Sequence, residues 1–347
     1  MWWKRARQLG WLVGLLLLAA LAPAQAASPE ITPVPVLSAG MGFIPFVDGG
    51  QTTLVTIVSP VLLVPIKDKW LIESRAAFEG DFTRQNGAGP LGGPVAKELE
   101  YLQLDYIANR YVTLSVGRFL TPFGIYNERL YPVWIRDLQP DPMILPIGTQ
   151  SSNGAMLRGG FSVTPAVNLN YAAYFSVLVT NETLASERWT GGRVGVFLPR
   201  QRLELGVSLQ HSLQETHDNR VGAHFEWQPR RIPFDVRSEF VTSEDGRGYW
   251  IEPALRLTNL SRVPVITRHL QLVARVQQFF VKEGAISDEL PPVDTQQVEF
   301  GLNYYLRDGL RATASYGRQF SSESDRNIWT VGLTYRFAIP LGRGGMQ

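Results

Sequence analysis

The 347-residue chain has no cysteine, which excludes a disulfide framework and a thiolate metal site. Its four histidines, His211, His217, His224 and His269, include no pair at metal-ligand spacing. A G-x-S-x-G nucleophile elbow is also missing, and His211 with Ser208 or Ser212 is a weak basis for a hydrolase. Glu73 and Glu79 read as decoration of a polar face, not as an acid–base dyad. The sequence therefore implies no catalytic residue, no metal and no cofactor. Long hydrophobic runs are absent beyond the first 26 residues. The longest, 54–66, contains Thr56, Ser59, Pro60 and Pro65, too short and too polar for a helical membrane span. That absence leaves room for a transmembrane β-barrel, whose apolar surface lies on alternate residues.

What is there begins with a leader. Lys4, Arg5 and Arg7 precede an apolar stretch at 9–21 and the small-x-small site Ala24-Gln25-Ala26. This is the pattern of a signal peptide, 1–26, cut after Ala26; the apolar stretch is short for an uncleaved anchor. Removing its three positive charges takes the formal net charge from +2 to −1. The basicity of the whole chain thus belongs to the leader and gives no reason to expect nucleic acid. The remaining 27–347 reads as one domain.

From Val36 onward the chain alternates with period two. Trp70, Ile72, Ala76, Phe78 and Phe82 fall on one face; Glu73, Arg75, Glu79 and Asp81 fall on the other. Val298, Phe300, Leu302, Tyr304 and Leu306 likewise oppose Gln297, Glu299 and Asn303. Such alternation marks strands with one apolar and one polar face. Short connections at 67–68, 109–110, 164–165, 199–201, 229–233 and 307–308, with a longer one at 259–268, alternate with loops at 47–51, 83–96, 120–153, 179–190, 214–218, 244–247, 282–294 and 321–325. Fifteen connections imply sixteen strands, most of nine to thirteen residues. Short turns on one side, longer loops on the other and an even count describe an all-β, antiparallel up-and-down outer-membrane barrel with both termini on the periplasmic side. Gly40, Gly42 and Pro45 in the first strand, Pro60 in the second and Pro253 in the eleventh weaken the count, as bulges or a misdrawn hairpin, and leave fourteen as the fallback. Aromatics at strand ends, including Trp70, Tyr106, Trp227, Phe234, Tyr316, Trp329 and Tyr335, suit the two interfacial girdles of a barrel in lipid.

The longest stretch that fails to alternate is Leu120 to Asn153. It holds five prolines and many large apolar residues, so it is packed and functional in type rather than a solvated linker. The expectation is a third loop folded into the lumen, where it constricts the channel; the alternative is a cap on the rim. Its constriction candidates are Glu128, Arg129, Arg136, Asp137 and Asp141, with Arg129 and Arg136 either touching solute or anchoring the loop to lumen carboxylates. Arg118 falls on the lipid phase of its strand, which calls for a bulge or a rim position. The polar faces supply pore-lining candidates Arg75, Arg158, Arg193, Arg220, Arg237, Arg256 and Arg275, nearly balanced by acids such as Asp105, Glu204, Glu226, Glu239 and Glu252.

The last strand carries Gly332, Tyr335 and Phe337 in the pattern of a terminal insertion signal, although ten residues follow it. Gly117-Arg118-Phe119, Thr121-Pro122-Phe123-Gly124 and Asn127-Glu128 resemble the porin O and P family of outer-membrane channels. That resemblance, firm over 117–160, implies a sixteen-stranded barrel with an inward third loop in the bacterial outer membrane. It also implies passage of small polar solutes or inorganic anions, contact with outer-membrane lipid and lipopolysaccharide, help from barrel-insertion machinery, and a homotrimer. The family's anion-selective members rely on lysines, whereas this chain beyond its leader has only Lys67, Lys69, Lys97 and Lys282. A barrel plugged by its loop and serving as a surface-binding or adhesion scaffold is the alternative function.

Overall fold

In the computed structural model, residues 34–341 are described, apart from 85–89, 149, 182, 215–217, 258–266, 285–288 and 307–308. The expected leader, 1–26, and His217 lie outside the described residues. Sixteen strands follow one another: β1 (Val36–Asp48), β2 (Gln51–Ile66), β3 (Trp70–Arg84), β4 (Val95–Asn109), β5 (Val112–Leu120), β6 (Ser151–Thr164), β7 (Val167–Ser176) and β8 (Trp189–Leu198). They continue as β9 (Leu203–Ser212), β10 (Asn219–Trp227), β11 (Phe234–Thr242), β12 (Gly246–Arg256), β13 (Leu270–Val281), β14 (Thr295–Tyr305), β15 (Arg311–Ser321) and β16 (Arg326–Pro340). Each pairs antiparallel with its sequence neighbours, and β1 pairs with β16 to close the barrel. Closure removes every sheet edge, so each strand finds its backbone partners within the sheet, as a bilayer demands.

The alternation in sequence becomes inside and outside. On β16, Thr330, Gly332 and Thr334 are buried inward while Trp329, Val331 and Leu333 are exposed outward. An outward face this apolar suits a surface that meets lipid rather than water. Aromatic pairs sit at strand ends: Trp70 with Tyr106 at 4.7 Å and Tyr316 with Trp329 at 4.3 Å between ring centres. The first strands are longer than expected, with β2 reaching sixteen residues and β3 and β4 fifteen each.

The strand prolines are neither bulges nor signs of a misdrawn hairpin. Pro45 pairs with Leu54 on β2, while the β1–β16 ladder skips from Phe43↔Leu333 to Phe46↔Thr330 without changing register. Pro60 interrupts β2–β3 between Val58↔Phe78 and Val61↔Arg75; Pro253, which lies in the twelfth strand and not the eleventh, interrupts β12–β13 between Ile251↔Val276 and Ala254↔Val273. Each proline lacks one N–H, so the ladder is broken on one side only and the count of sixteen stands. A true register shift occurs in β4, where Arg75↔Tyr101 is followed by Ala76↔Leu99 and Glu100 is the extra residue.

Candidate channel constriction

Between β5 and β6 the chain leaves the wall at Thr121 and returns at Ser151. The segment holds one five-residue π-helical turn, Tyr126–Leu130, and one 3-10 turn, Leu145–Ile147. Its remaining backbone follows no ladder, since five prolines remove donors. What fixes it is contact with inward-facing side chains on three parts of the barrel.

The first contact is apolar. Phe123, Ile125, Tyr126, Leu130, Ile144 and Ile147 cluster with Val241 of β11, Trp250 of β12 and Phe279 of β13. Val133 packs with Ile44 and Ile57 on β1 and β2, and Leu138 packs with Ala254 and Val273 on β12 and β13. Ile125 and Leu138 are 0% and 1% exposed, so the segment is bonded to the wall and not draped over a rim. Glycines on the wall seat it: a Cβ at Gly40 would overlap the Trp134 ring, and one at Gly301 would meet Leu138. The weak-strand glycine of β1 is thus a notch for the loop.

The second contact is polar and buried. The Glu239 carboxylate of β11 accepts hydrogen bonds from the backbone N–H of Ile125 and of Tyr126, the latter at 2.9 Å, and from Trp250 Nε1 at 3.1 Å. Gly124 passes this carboxylate with φ +66°, a left-handed conformation, and a Cβ there would strike Glu239. Three wall arginines each donate to a loop carbonyl: Arg193 to Gly124 at 2.7 Å, Arg275 to Pro140 at 2.6 Å and Arg311 to Val133 at 2.7 Å. Gln277 accepts from the Met143 N–H at 2.9 Å. Carbonyls that no ladder satisfies would be costly inside the barrel, and guanidiniums supply the missing donors.

The five constriction candidates are all engaged. Glu128 pairs with Arg193 at 2.5 Å. Arg129 forks onto Glu204 at 2.7 and 2.9 Å and reaches Glu226 at 3.5 Å. Burial lowers the basicity of Arg129, but the Glu204 hydrogen bond and neighbouring carboxylates outweigh it, so its pKa stands above the ordinary value. Arg136 pairs with Asp141 within the loop itself and donates to Gln139 O at 2.8 Å. Asp137 faces Arg237 at 3.3 Å and Arg311 at 4.0 Å. Asp141 also accepts from the Tyr126 hydroxyl at 2.9 Å; burial pushes that phenol well above its usual pKa, which keeps it a donor.

The pore-lining candidates separate into groups. Arg193, Arg237 and Arg275 hold the loop, and Arg275 also binds Glu252 at 2.6 Å. Arg75 pairs with Glu100 and Arg158 with Asp105 at 2.7 Å, both on the β3–β6 wall that the loop's own apolar clusters leave uncovered. Arg220 lies over the Trp189 ring near the long-loop end and pairs with Asp218 at 2.7 Å. Arg256 stacks on Tyr305 at the short-turn end. Between the loop and the β3–β6 wall is a gap of about 150 Å³ lined by Glu73, Arg75, Tyr101, Gln103, Leu120, Glu128, Met156 and Arg158.

Other expectations fall as follows. Arg118 sits at the rim without a bulge: its register is unbroken, and it donates to Leu99 O at 2.6 Å and Ala185 O at 3.1 Å. Tyr335 and Phe337 stack at 6.1 Å, two outward residues of the closing strand, and Gly332 faces inward beside Ile44. His224 is buried 3.8 Å from Glu204, and among the described residues no His, Asp and Glu group is arranged to hold a metal.

Solved structures share this architecture. A loop-deleted form of OmpT, an outer-membrane protein of Vibrio cholerae, matches with a TM-score of 0.56 at 9% identity, covering 88% of this chain and 100% of that one. The anion-selective porin of Comamonas acidovorans matches with 0.56 at 8% identity over 87% and 98%. Pseudomonas putida OprB at low pH matches with 0.57 at 8% identity over 87% and 92%. No family model and no curated protein matches the chain. The chain has the closed sixteen-stranded barrel fold of bacterial outer-membrane porins.

Proposed function

We propose that the protein is an outer-membrane porin that lets small hydrophilic solutes diffuse through a water-filled gap between its third loop and the β3–β6 wall. The observation that carries this reading is the one-sided seating of the loop. Segment 121–150 fills the lumen against β1, β2 and strands from β8 to β15, and presents Glu128 to the gap beside β3–β6. Solute would pass between Glu128 on the loop and Arg75, Tyr101 and Arg158 on the wall. A ring of one sign selects ions by charge. Beside the gap Arg75, Arg158 and Arg193 each have a carboxylate partner, so the pore is weakly selective and excludes mainly by size. The proposed kinship with the porin O and P family rests on Gly117-Arg118-Phe119, Thr121-Pro122-Phe123-Gly124 and Asn127-Glu128; the paired arginines and missing lysines argue against phosphate selectivity. The dense packing of the loop favours one rival, a plugged barrel acting as a surface scaffold.

Swelling of liposomes that contain the refolded protein tests the proposal. Small sugars and amino acids should enter at rates that fall with size. Liposomes that swell no faster than protein-free ones would leave the scaffold reading in place. Residence in the bacterial outer membrane, contact with lipopolysaccharide, assembly by insertion machinery and trimer formation belong to the same proposal.

A further inference from the structure

Inside the barrel, arginines are matched with carboxylates. At the short-turn mouth that rule fails. Arg202 of the β8–β9 turn, Arg230 and Arg231 of the β10–β11 turn and Arg256 at the end of β12 line one cavity of about 500 Å³. The cavity's single carboxylate, Asp235, faces a fifth arginine, Arg237, at 3.3 Å. Arg237 is shared further with Asp137, Glu226 and Glu252.

Three of the other four are hydrogen-bonded to neutral groups, and Asp235 is left to balance Arg256 as well as Arg237. Arg202 donates to Gln228 Oε1 at 3.1 Å, Arg230 to Pro199 O at 3.2 Å and Arg256 to the Tyr305 hydroxyl at 3.1 Å. Arg231 adds a fourth guanidinium to the lining. Like charges gathered on neutral partners repel one another, and a multivalent anion relieves that repulsion. The frame is stiff. Pro229 and Pro233 bracket the turn, and Arg202 holds a left-handed φ of +52°, a conformation rare for a side chain of its size.

The charged side of the cavity faces the lumen, while Ile232 and the outward-phase Phe234 form its apolar edge. Asp235, Arg237 and Arg256 alternate along β11 and β12 with Phe234, Val236 and Leu255, which take the outward phase. None of its lining residues is shared with the gap beside the loop.

We propose that this cavity is a binding site for a small water-borne anion carrying a phosphate or two or more carboxylates. Planar guanidiniums bind such oxyanions in bidentate fashion, and four of them around one cavity match a ligand with several oxygens to offer. The apolar edge formed by Pro229, Ile232 and Pro233 would hold a short carbon body. The site concentrates anions at one end of the barrel and makes its response to them sided.

The test is isothermal titration of citrate into the refolded full-length protein in neutral detergent, which needs no current and so stands or falls apart from the channel reading. Three samples are compared: wild type, R202Q/R230Q/R231Q, and R318Q as a control near the long-loop rim, where Arg318 is exposed. All three substituted turn positions lie outside the strands, and heat-modifiable gel mobility reports the folded barrel. Saturable binding is expected in wild type and R318Q, at least tenfold weaker in the triple variant and weakened by added salt, because exposed charges are screened. Equal citrate binding by a folded triple variant, or no saturable binding by wild type, would overturn the site. A titration with phosphatidylglycerol vesicles closes the alternative source: headgroup binding that displaces citrate and is lost in the triple variant would reassign the site to lipid.

Discussion

Glu239→Ala removes the acceptor for three buried donors: the N–H groups of Ile125 and Tyr126 and the indole N–H of Trp250. Each donor left unsatisfied in a dry site costs about 1–3 kcal/mol, so the latch loses roughly 3–9 kcal/mol before any water enters. Every ~1.4 kcal/mol is a factor of ten in population. The detached form of segment 123–126 should therefore rise by two orders of magnitude or more. The strands carry their own ladder, so heat-modifiable mobility should be unchanged. The loop is still gripped by Arg129 on Glu204 and by Arg275 on Pro140 O, so it should loosen at one end rather than leave the lumen. Two readings follow: noisier single-channel current, and new proteolytic cleavage within 121–131. Glu239→Gln keeps one acceptor oxygen and should fall between. An alanine variant with wild-type noise and wild-type resistance to protease would refute the latch.

Glycine seats make a second expectation. Gly40→Val drives a branched side chain into the Trp134 ring; overpacking of this kind costs about 1–3 kcal/mol and should red-shift tryptophan fluorescence as Trp134 becomes wetter. Across the gap, Glu128→Gln frees Arg193 and should move the reversal potential toward anions, while Arg158→Gln frees Asp105 and should move it toward cations; shifts of the same sign would place the route elsewhere. Deleting 126–146 removes the segment that fills the lumen and should raise conductance several-fold, measured in planar bilayers; an unchanged conductance would contradict a loop-limited pore.

Much of the barrel was legible because period two needs no knowledge of neighbours. Leu203, Leu205 and Val207 declare their outward face against Glu204, Gly206 and Ser208 with only their own strand in view. The prolines were harder to read. The chemistry of Pro45 shows that a hydrogen bond is missing, but only the paired strand shows that the register survives. Gly40 misled for a related reason: in sequence it weakens a strand, and its use appears only when Trp134, nearly a hundred residues away, is placed against it.

The loop was legible as packed and inward-type, but its attachments were not. Arg129 meets Glu204 and Glu226 because β9 and β10 are neighbours beneath it, whereas Arg136 meets Asp141 five residues on. Arg193 and Arg158 looked equivalent by phase. One grips Gly124 O and Glu128; the other pairs with Asp105 on the wall. Long side chains choose partners across the lumen, and no local pattern encodes that choice. The arginines of the short-turn mouth sit one or two per turn, so the cluster forms only when two separate turns and the end of β12 come together.

The chain has no cysteine, so single-cysteine variants give an unambiguous map of the route. The measurement that tests the account most directly is single-channel current through Glu73→Cys, in the gap, and Gln277→Cys, beneath Met143 and bonded to it. A bulky negatively charged thiol reagent should reduce current in discrete steps at position 73 and leave position 277 unaffected. Complete modification at 73, verified by mass, with no change in current, or no current in any variant, would contradict a water route between the loop and the β3–β6 wall.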